Sequence, residues 1–431
     1  MEIITRLIFR YNSALRKISS ALVIRGIGLI FSLLVTYFLL IILDVRSLGI
    51  FYFIVSLSRL ASILFSMGVF ASIIPQYSSY SNEKKNSLLN LSIVPAIALS
   101  LFVLFIINLT FFFLDSNLKT IYWYIPHCSI LISTYLIQFN LYNYFNCKER
   151  LALTSFMLEG NGRNYFFLPI LFVFHYFFLE ETNLNMVLSI FVVSSILVNV
   201  FGLINYSYDG IIENLNFNNL KDFFRVGFKF FPSIIVSTGA PSIYDVLINV
   251  FFGPVTLAVI GVANRVVSPL MIHNDLIVLN YVKASRYYLK GSIFEANSLH
   301  IRSLIVSFSI ALVLMILFYL FGYEIISTFM EFEKLPNIKD VIFIFFISTL
   351  TQSACNFSLH FLRNIGDYLS MTFIELISLT VTIICMFSFL ELGIYGAALA
   401  SMLGRLMMML VGFGYAKYSY DIPFLKARKS R

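Results

Sequence analysis

Five arginines interrupt stretches that are otherwise apolar enough to cross a membrane: Arg25, Arg59, Arg163, Arg265 and Arg405. A guanidinium is a rigid fork of five donors that suits phosphate oxygens, and it keeps its proton when desolvated. Left in lipid, each would cost at least ~2.5–3.5 kcal/mol, and the five together ~12–17 kcal/mol. That sum exceeds the whole stability of most proteins, so these side chains must be paired, hydrated or able to reach the headgroups. Arg59 has the clearest setting. Ser56, Arg59, Ser62 and Ser66 are spaced three, three and four apart and share one helix face. At ~1.5 Å per residue, Arg59 lies roughly 16 Å below Leu48, about halfway through a ~30 Å hydrocarbon core. The stripe predicts a helix that lines a wet space. Arg265 repeats the arrangement with Ser268 and Asp275, Arg25 shares a face with Gly28, Ser32 and Thr36, and Arg405 follows Ser401 by one turn. Arg59 and Arg265, with Arg25 and Arg405, are the candidate anion-binding residues. For Arg25 and Arg163, in the cytoplasmic third of their segments, snorkelling is the alternative.

Four acids share these segments: Glu159, Asp245, Asp275 and Glu375. They cannot neutralise five arginines, so the interior is expected to be net positive. Glu159 precedes Arg163 by four residues, the favourable order for a structural ion pair within one helix. Asp245 shares its face with Ser237, Pro241 and Asn249, and Glu375 continues into Ser378 and Thr382. Each carboxylate is a candidate proton or sodium coupling site, or a counter-ion; for Asp245 the partner would be Arg265, brought near by the turn at Gly253–Pro254. No metal site is expected. His127, His175, His273 and His360 lack ligand spacing, and the cysteines at 128, 147, 355 and 385 form no CxxC.

The elements that must hold these residues are membrane helices. Of 431 residues, 59% are hydrophobic and only 12% charged, where a soluble chain carries about 25%. The net charge of +8 does not indicate a nucleic-acid binder, because of where it falls. Twelve spanning segments are expected near 18–43, 48–74, 88–114, 121–145, 153–179, 186–206, 230–252, 255–281, 302–322, 341–362, 368–390 and 393–416. Pro95, Pro126, Pro169, Pro232, Pro241 and Pro269 are read as kinks within them. With both termini cytoplasmic, 21 basic residues fall inside and four (Arg46, Lys119, Lys334, Lys339) outside, a strong positive-inside signal. The N-terminus is too polar for a cleavable signal, so the first segment is expected to remain as an anchor.

The expected organisation is an all-α polytopic protein in two pseudo-symmetric six-helix lobes around a central cavity. An N-terminal lobe spans 1–206, a cytoplasmic linker 207–229, a C-terminal lobe 230–416, and a basic cytoplasmic tail 417–431. The offset between Arg59 and Arg265 nearly equals that between the starts of the first and seventh segments, which suggests a parallel internal repeat.

Three stretches carry a family resemblance. LDVRSLGIFYFIVSLSRLASILFSMGVFASIIPQYS and PSIYDVLINVFFGPVTLAVIGVANRVVSPL, with the aspartate before FGP and the ANR after it, resemble paired helices of one exporter superfamily. So does LGIYGAALASMLGR in the last segment. The superfamily is that of multidrug, oligosaccharidyl-lipid and polysaccharide exporters, and the resemblance is to its polysaccharide and O-antigen repeat-unit flippase branch. Twelve segments rather than fourteen set the chain apart from the lipid II flippase branch. The resemblance implies cavity arginines at Arg25, Arg59 and Arg265, and alternating access in a bacterial inner membrane. It implies a cargo of undecaprenyl-pyrophosphate-linked oligosaccharide, with no enzymatic activity and no cofactor beyond a coupled proton or sodium ion. Expected partners are membrane lipids and, for polymer synthesis, the polysaccharide polymerase and chain-length proteins; nucleic acid is not among them. A drug/cation antiporter of the same fold would need an acidic cavity. A membrane-embedded polymerase would carry a large outer loop with catalytic arginines, whereas the longest one here, 323–340, is short and acidic.

Overall fold

The computed structural model describes residues 2–69, 73, 82–113, 124–158, 161–177, 183–206, 217–269, 284, 287–288, 290–329, 332–365 and 367–420. Among the described residues there is no strand. The described residues form fifteen α-helices: α1 (Glu2–Ile42), α2 (Val45–Ser66), α3 (Asn82–Phe113), α4 (Ile125–Cys147), α5 (Leu151–Met157), α6 (Asn161–Phe177), α7 (Leu184–Ile204) and α8 (Phe217–Ser237) come first. Then come α9 (Ala240–Phe252), α10 (Pro254–Val267), α11 (Ile293–Leu317), α12 (Tyr323–Phe329), α13 (Ile338–Ile365), α14 (Tyr368–Ser388) and α15 (Ile394–Tyr420). Among the described residues, seven helices are long and apolar enough to cross a membrane by length and composition. An eighth span counts if the bent pair Phe231–Ser237 and Ala240–Phe252 is taken as one.

Contacts divide the chain into two units, Met1–Ile243 and Tyr244–Arg431. In the first, α4 is the central helix, packed on α2, α3, α5 and α7. Its Ser133, Thr134, Gln138, Asn140 and Asn143 are all buried. That position explains why a helix with so many amides is tolerable: protein, not lipid, surrounds it, and neighbouring carbonyls take up amide donors. Asn140 donates to the Ser92 carbonyl (3.0 Å), Asn199 of α7 to that of Thr134 (2.9 Å), and Ser100 and Ser133 exchange hydroxyl–carbonyl bonds (3.1 and 3.0 Å). Phe51, Phe167 and Phe191 join α2, α6 and α7, with edge contacts of 5.1 and 5.2 Å on Phe191. Phe223 of α8 belongs to the same apolar core as Val69 and Leu141, so α8 is part of this unit.

The second unit is built on α13, α14 and α15, with α10 against α13 and α15 and α11 against α13. Leu257, Ala258, Val259, Ile260, Val262 and Ala263 are wholly buried, so α10 is a core helix over its described length. Ala397, Ala398 and Ala400 of α15 are equally buried; small side chains there let neighbouring backbones approach.

Three expectations change. The fifth segment is two helices, α5 and α6, with a break after Leu158. The seventh is also two, bent by 56°. A methyl at Gly239 would collide with the Ile235 carbonyl, so the break is made where only glycine fits. Third, only Pro95, Pro169 and Pro232 lie inside helices. Pro126 and Pro241 open α4 and α9, and Pro269 follows α10. At a helix start the missing N–H costs nothing, so no kink results. Residues 207–216 of the expected linker and 421–431 of the basic tail lie outside the described residues.

Candidate functional site

In the first unit, Asp44 caps α2, its carboxylate accepting from the Ser47 N–H (3.3 Å). The Arg59 face of α2 is less open than its spacing suggests. Ser56, Ser62 and Ser66 are buried and Arg59 is half-buried. Ser62 donates to the carbonyl of Arg59 and Ser66 to that of Ile63, both at 2.7 Å. Serines that bond back to their own helix need no water. The stripe is therefore packed against protein, and Arg59 is the group on it that retains access.

Arg25 is half-buried on α1, beside Ile24, whose carbonyl accepts from Tyr165 of α6 (2.7 Å). Thr36, on the same face, is buried and bonds to the Ser32 carbonyl (2.8 Å).

Arg163 is a different case. It is 2% exposed, so it does not snorkel. Its two terminal nitrogens donate to the Tyr135 hydroxyl (2.8 Å) and to Gln138 Oε1 (3.0 Å). The guanidinium lies 4.5 Å from the ring centroids of both Tyr135 and Phe191. Gln138 in turn donates to the Met157 carbonyl of α5 (3.1 Å). One cation thus joins α4, α6 and α7, through neutral oxygens and aromatic faces. Glu159, its expected ion-pair partner, lies outside the described residues.

In the second unit, Gly253 makes the turn between α9 and α10 with φ 86°, and Pro254 opens α10. Arg265 falls in the last turn of α10 as described, half-buried, with Ser268 donating to its carbonyl (3.0 Å). A cation there also complements the helix dipole. Residues 270–283, including Asp275, lie outside the described residues. Asp245 is half-buried on α9. The bend at 238–239 puts Ser237 on another helix, so the four-residue steps through Asp245 begin at Pro241.

Arg405 and Glu375, both half-buried, lie on the adjoining helices α15 and α14. Ser378 donates to the Gly404 carbonyl (2.8 Å), and Thr382 donates to that of Ser378 (2.9 Å). A methyl at Gly404 would collide with the Thr382 hydroxyl. The Glu375–Ser378–Thr382 stripe of α14 therefore meets α15 at the residue next to Arg405.

Sequence reasoning missed three groups. Tyr244, buried, donates to the Ala397 carbonyl (2.7 Å) and ties α9 to α15 one turn before Ser401; no spacing rule points to it. The acceptors of Arg163 come from another helix and were equally unreadable. The third had a signal. Asn297, His300, Ser303 and Ser307 on α11 are spaced three, three and four apart, as on α2, and all are buried, His300 to 1%. Of the histidines considered earlier, His127 is a satisfied one, 3.0 Å from the Ser189 hydroxyl. No cluster of metal-ligating side chains occurs among the described residues.

No protein-family model and no curated protein matches the sequence. Solved structures do match, among them transporters of the MOP superfamily. The lipid II flippase MurJ, in an inward closed conformation, aligns with a TM-score of 0.68 at 17% identity, over 93% of this chain and 87% of its own. An inward-facing multidrug resistance MATE family transporter aligns at 0.64 and 14% identity, over 94% and 93%. A MOP superfamily transporter from Pyrococcus furiosus, reported with reversed polarity of its binding pocket, aligns at 0.63 and 13% identity, over 96% of both chains. The chain therefore has the fold of MOP superfamily transporters, and it is a multi-pass membrane protein.

Proposed function

We propose that this protein is a flippase for undecaprenyl-pyrophosphate-linked oligosaccharides, the repeat units of O-antigen or capsule. It would move them from the cytoplasmic to the periplasmic leaflet of a bacterial inner membrane by alternating access. The observation that carries the reading is the kind of charge the helices hold. Arg25 and Arg59 in the first unit, and Arg265 and Arg405 in the second, are half-buried arginines on helices of a transporter fold. In this reading Arg59 and Arg265 are the main anion contacts. They take the pyrophosphate by charge-assisted hydrogen bonds, while Arg25 and Arg405 serve its sugars and the polyprenyl tail stays in lipid. Moving two negative charges outward gains ~4.6 kcal/mol per 100 mV of inside-negative potential, so transport is aided even without a coupled ion.

A drug/cation antiporter is the second reading, since MATE transporters share the fold. It predicts that acids, not arginines, dominate the binding surface. The transporter fold also favours both readings over a membrane-embedded polymerase. Asp245 and Glu375 remain coupling or counter-ion residues here, with Asp245 pairing Arg265 in one state of the cycle. Asp245→Asn should then impair transport while insertion is kept; a normal rate with unchanged pH and sodium dependence would remove it from the mechanism.

Deletion of the gene is the test. Lipid-linked oligosaccharide should accumulate in the inner leaflet, and surface polymer should vanish although the polymerase and chain-length proteins are present. Export at the normal level, with raised drug sensitivity instead, would favour the antiporter. Orientation is tested in intact cells with an impermeant thiol reagent on a cysteine-free background. Cysteines at Lys84, Asn219 and Ser430 should be shielded and those at Asn117 and Asn337 labelled; the reverse pattern would overturn the topology.

A further inference from the structure

The first half of α8 sorts three kinds of residue around one helix. Phe223 and Gly227 are buried, Phe224 and Phe228 are 36% and 53% exposed, and Lys221, Arg225 and Lys229 are exposed. At roughly 100° per residue, these classes fill three successive arcs, each about a quarter-turn from the next. Their order is packed face, aromatic face, basic face. A connector surrounded by water would be polar over its whole free surface. A helix lying in the plane of a membrane interface shows this order instead: protein on one side, acyl chains below, headgroups beyond.

The helix is also held against rolling. Phe223 joins the core with Val69. A methyl at Gly227 would stand 2.6 Å from Val69 Cα, and one at Gly68, which is left-handed (φ 75°), would stand as close to the Gly227 carbonyl. Only a glycine pair allows this contact, and it fixes which way the cations point. Gly68 and Val69 directly follow α2, the helix of Arg59.

We propose that Lys221, Arg225 and Lys229 bind the headgroups of anionic phospholipids, with Phe224 and Phe228 seated among the acyl chains beneath. Three bases against one acid, Asp222, leave α8 with a net positive charge that complements such a surface. The inference needs only a membrane-embedded chain and does not depend on the cargo. It also gives the α2 end of the Arg59 helix a lipid-anchored support.

The test uses the full chain, purified in detergent and mixed with equimolar dioleoylphosphatidylglycerol and dioleoylphosphatidylcholine, with retained lipid read by native mass spectrometry. A cation near an anionic surface is worth roughly a fivefold preference. The wild type should favour phosphatidylglycerol at least ~tenfold, and Lys221→Gln, Arg225→Gln and Lys229→Gln together should bring the ratio near one. A triple variant that keeps the preference overturns the site; the single variants decide if the triple one does not fold. Displacement of phosphatidylglycerol by a smaller amount of geranyl pyrophosphate would assign the stripe to a pyrophosphate cargo and refute the phospholipid. In a Trp123→Phe background, the indole of Phe228→Trp should be quenched by brominated phosphatidylcholine in vesicles. Lack of quenching would show that the aromatic face is not in lipid.

Discussion

Within the first unit, Arg163 and Arg59 both interrupt helices that the sequence reads as membrane segments, and their surroundings differ. Arg163 is sealed: two neutral oxygens take its terminal donors and two rings cover its faces. Arg59 stays half-buried on a face whose serines are turned back to their own helix. A guanidinium buried in this way binds the protein to itself and is out of reach of a cargo. One that remains accessible among satisfied neighbours is still able to take an anion. Depth in a hydrophobic segment therefore does not tell the two arginines apart, whereas burial does.

The largest effect should come from breaking the sealed site. Arg163→Ala removes two charge-assisted bonds, each worth ~1.5–3 kcal/mol, and leaves Tyr135 and Gln138 unsatisfied. Stability should fall by about 3 kcal/mol or more, read as a lower unfolding temperature and reduced membrane yield, while export per folded molecule is retained. Full stability with lost export would instead put Arg163 in the transport path.

Arg59→Ala and Arg265→Ala should do the opposite. Surface polymer per molecule of this protein in the membrane should fall ten- to a hundredfold, at ~1.4 kcal/mol per decade, with membrane yield unchanged. Lysine versions, which keep the charge and lose the fork, should retain partial activity. Well-inserted alanine variants that export at the wild-type rate would refute the site.

Tyr135→Phe sharpens the contrast, because it deletes one acceptor and keeps the ring over Arg163. A loss of about 1.5 kcal/mol is expected, smaller than for Arg163→Ala; equal losses would mean that the Gln138 bond and the stacking contribute nothing. The smallest effect should be that of Ser62→Ala. It removes a hydroxyl bonded within its own helix, so stability should stay within about 0.5 kcal/mol and export unchanged. A severe transport defect would show that the α2 stripe faces water after all.

Much of this was legible beforehand. The helical segments, the turn at Gly253–Pro254 and the small-residue stretch of α15 follow from apolar run length, local backbone chemistry and side-chain size. The candidate arginines were equally visible, because a cation in an apolar run is conspicuous in any sequence. Local rules also misled. A three, three, four stripe suggested water at Ser62, although a hydroxyl can satisfy itself on the preceding turn. The same spacing on α11 passed unnoticed, since a histidine among serines carries no fixed charge to draw attention.

The sequence by itself determined that the chain is helical, membrane-embedded and arginine-bearing, because helix period and hydropathy are properties of neighbouring residues. Only the tertiary structure decided that Arg163 is held by Tyr135, Gln138 and Phe191, that α8 and α9 part at Gly239, and that α8 seats its glycine on Val69. Those outcomes depend on the register of helices packed side by side, and that register is set by the fit of whole surfaces rather than by any local pattern.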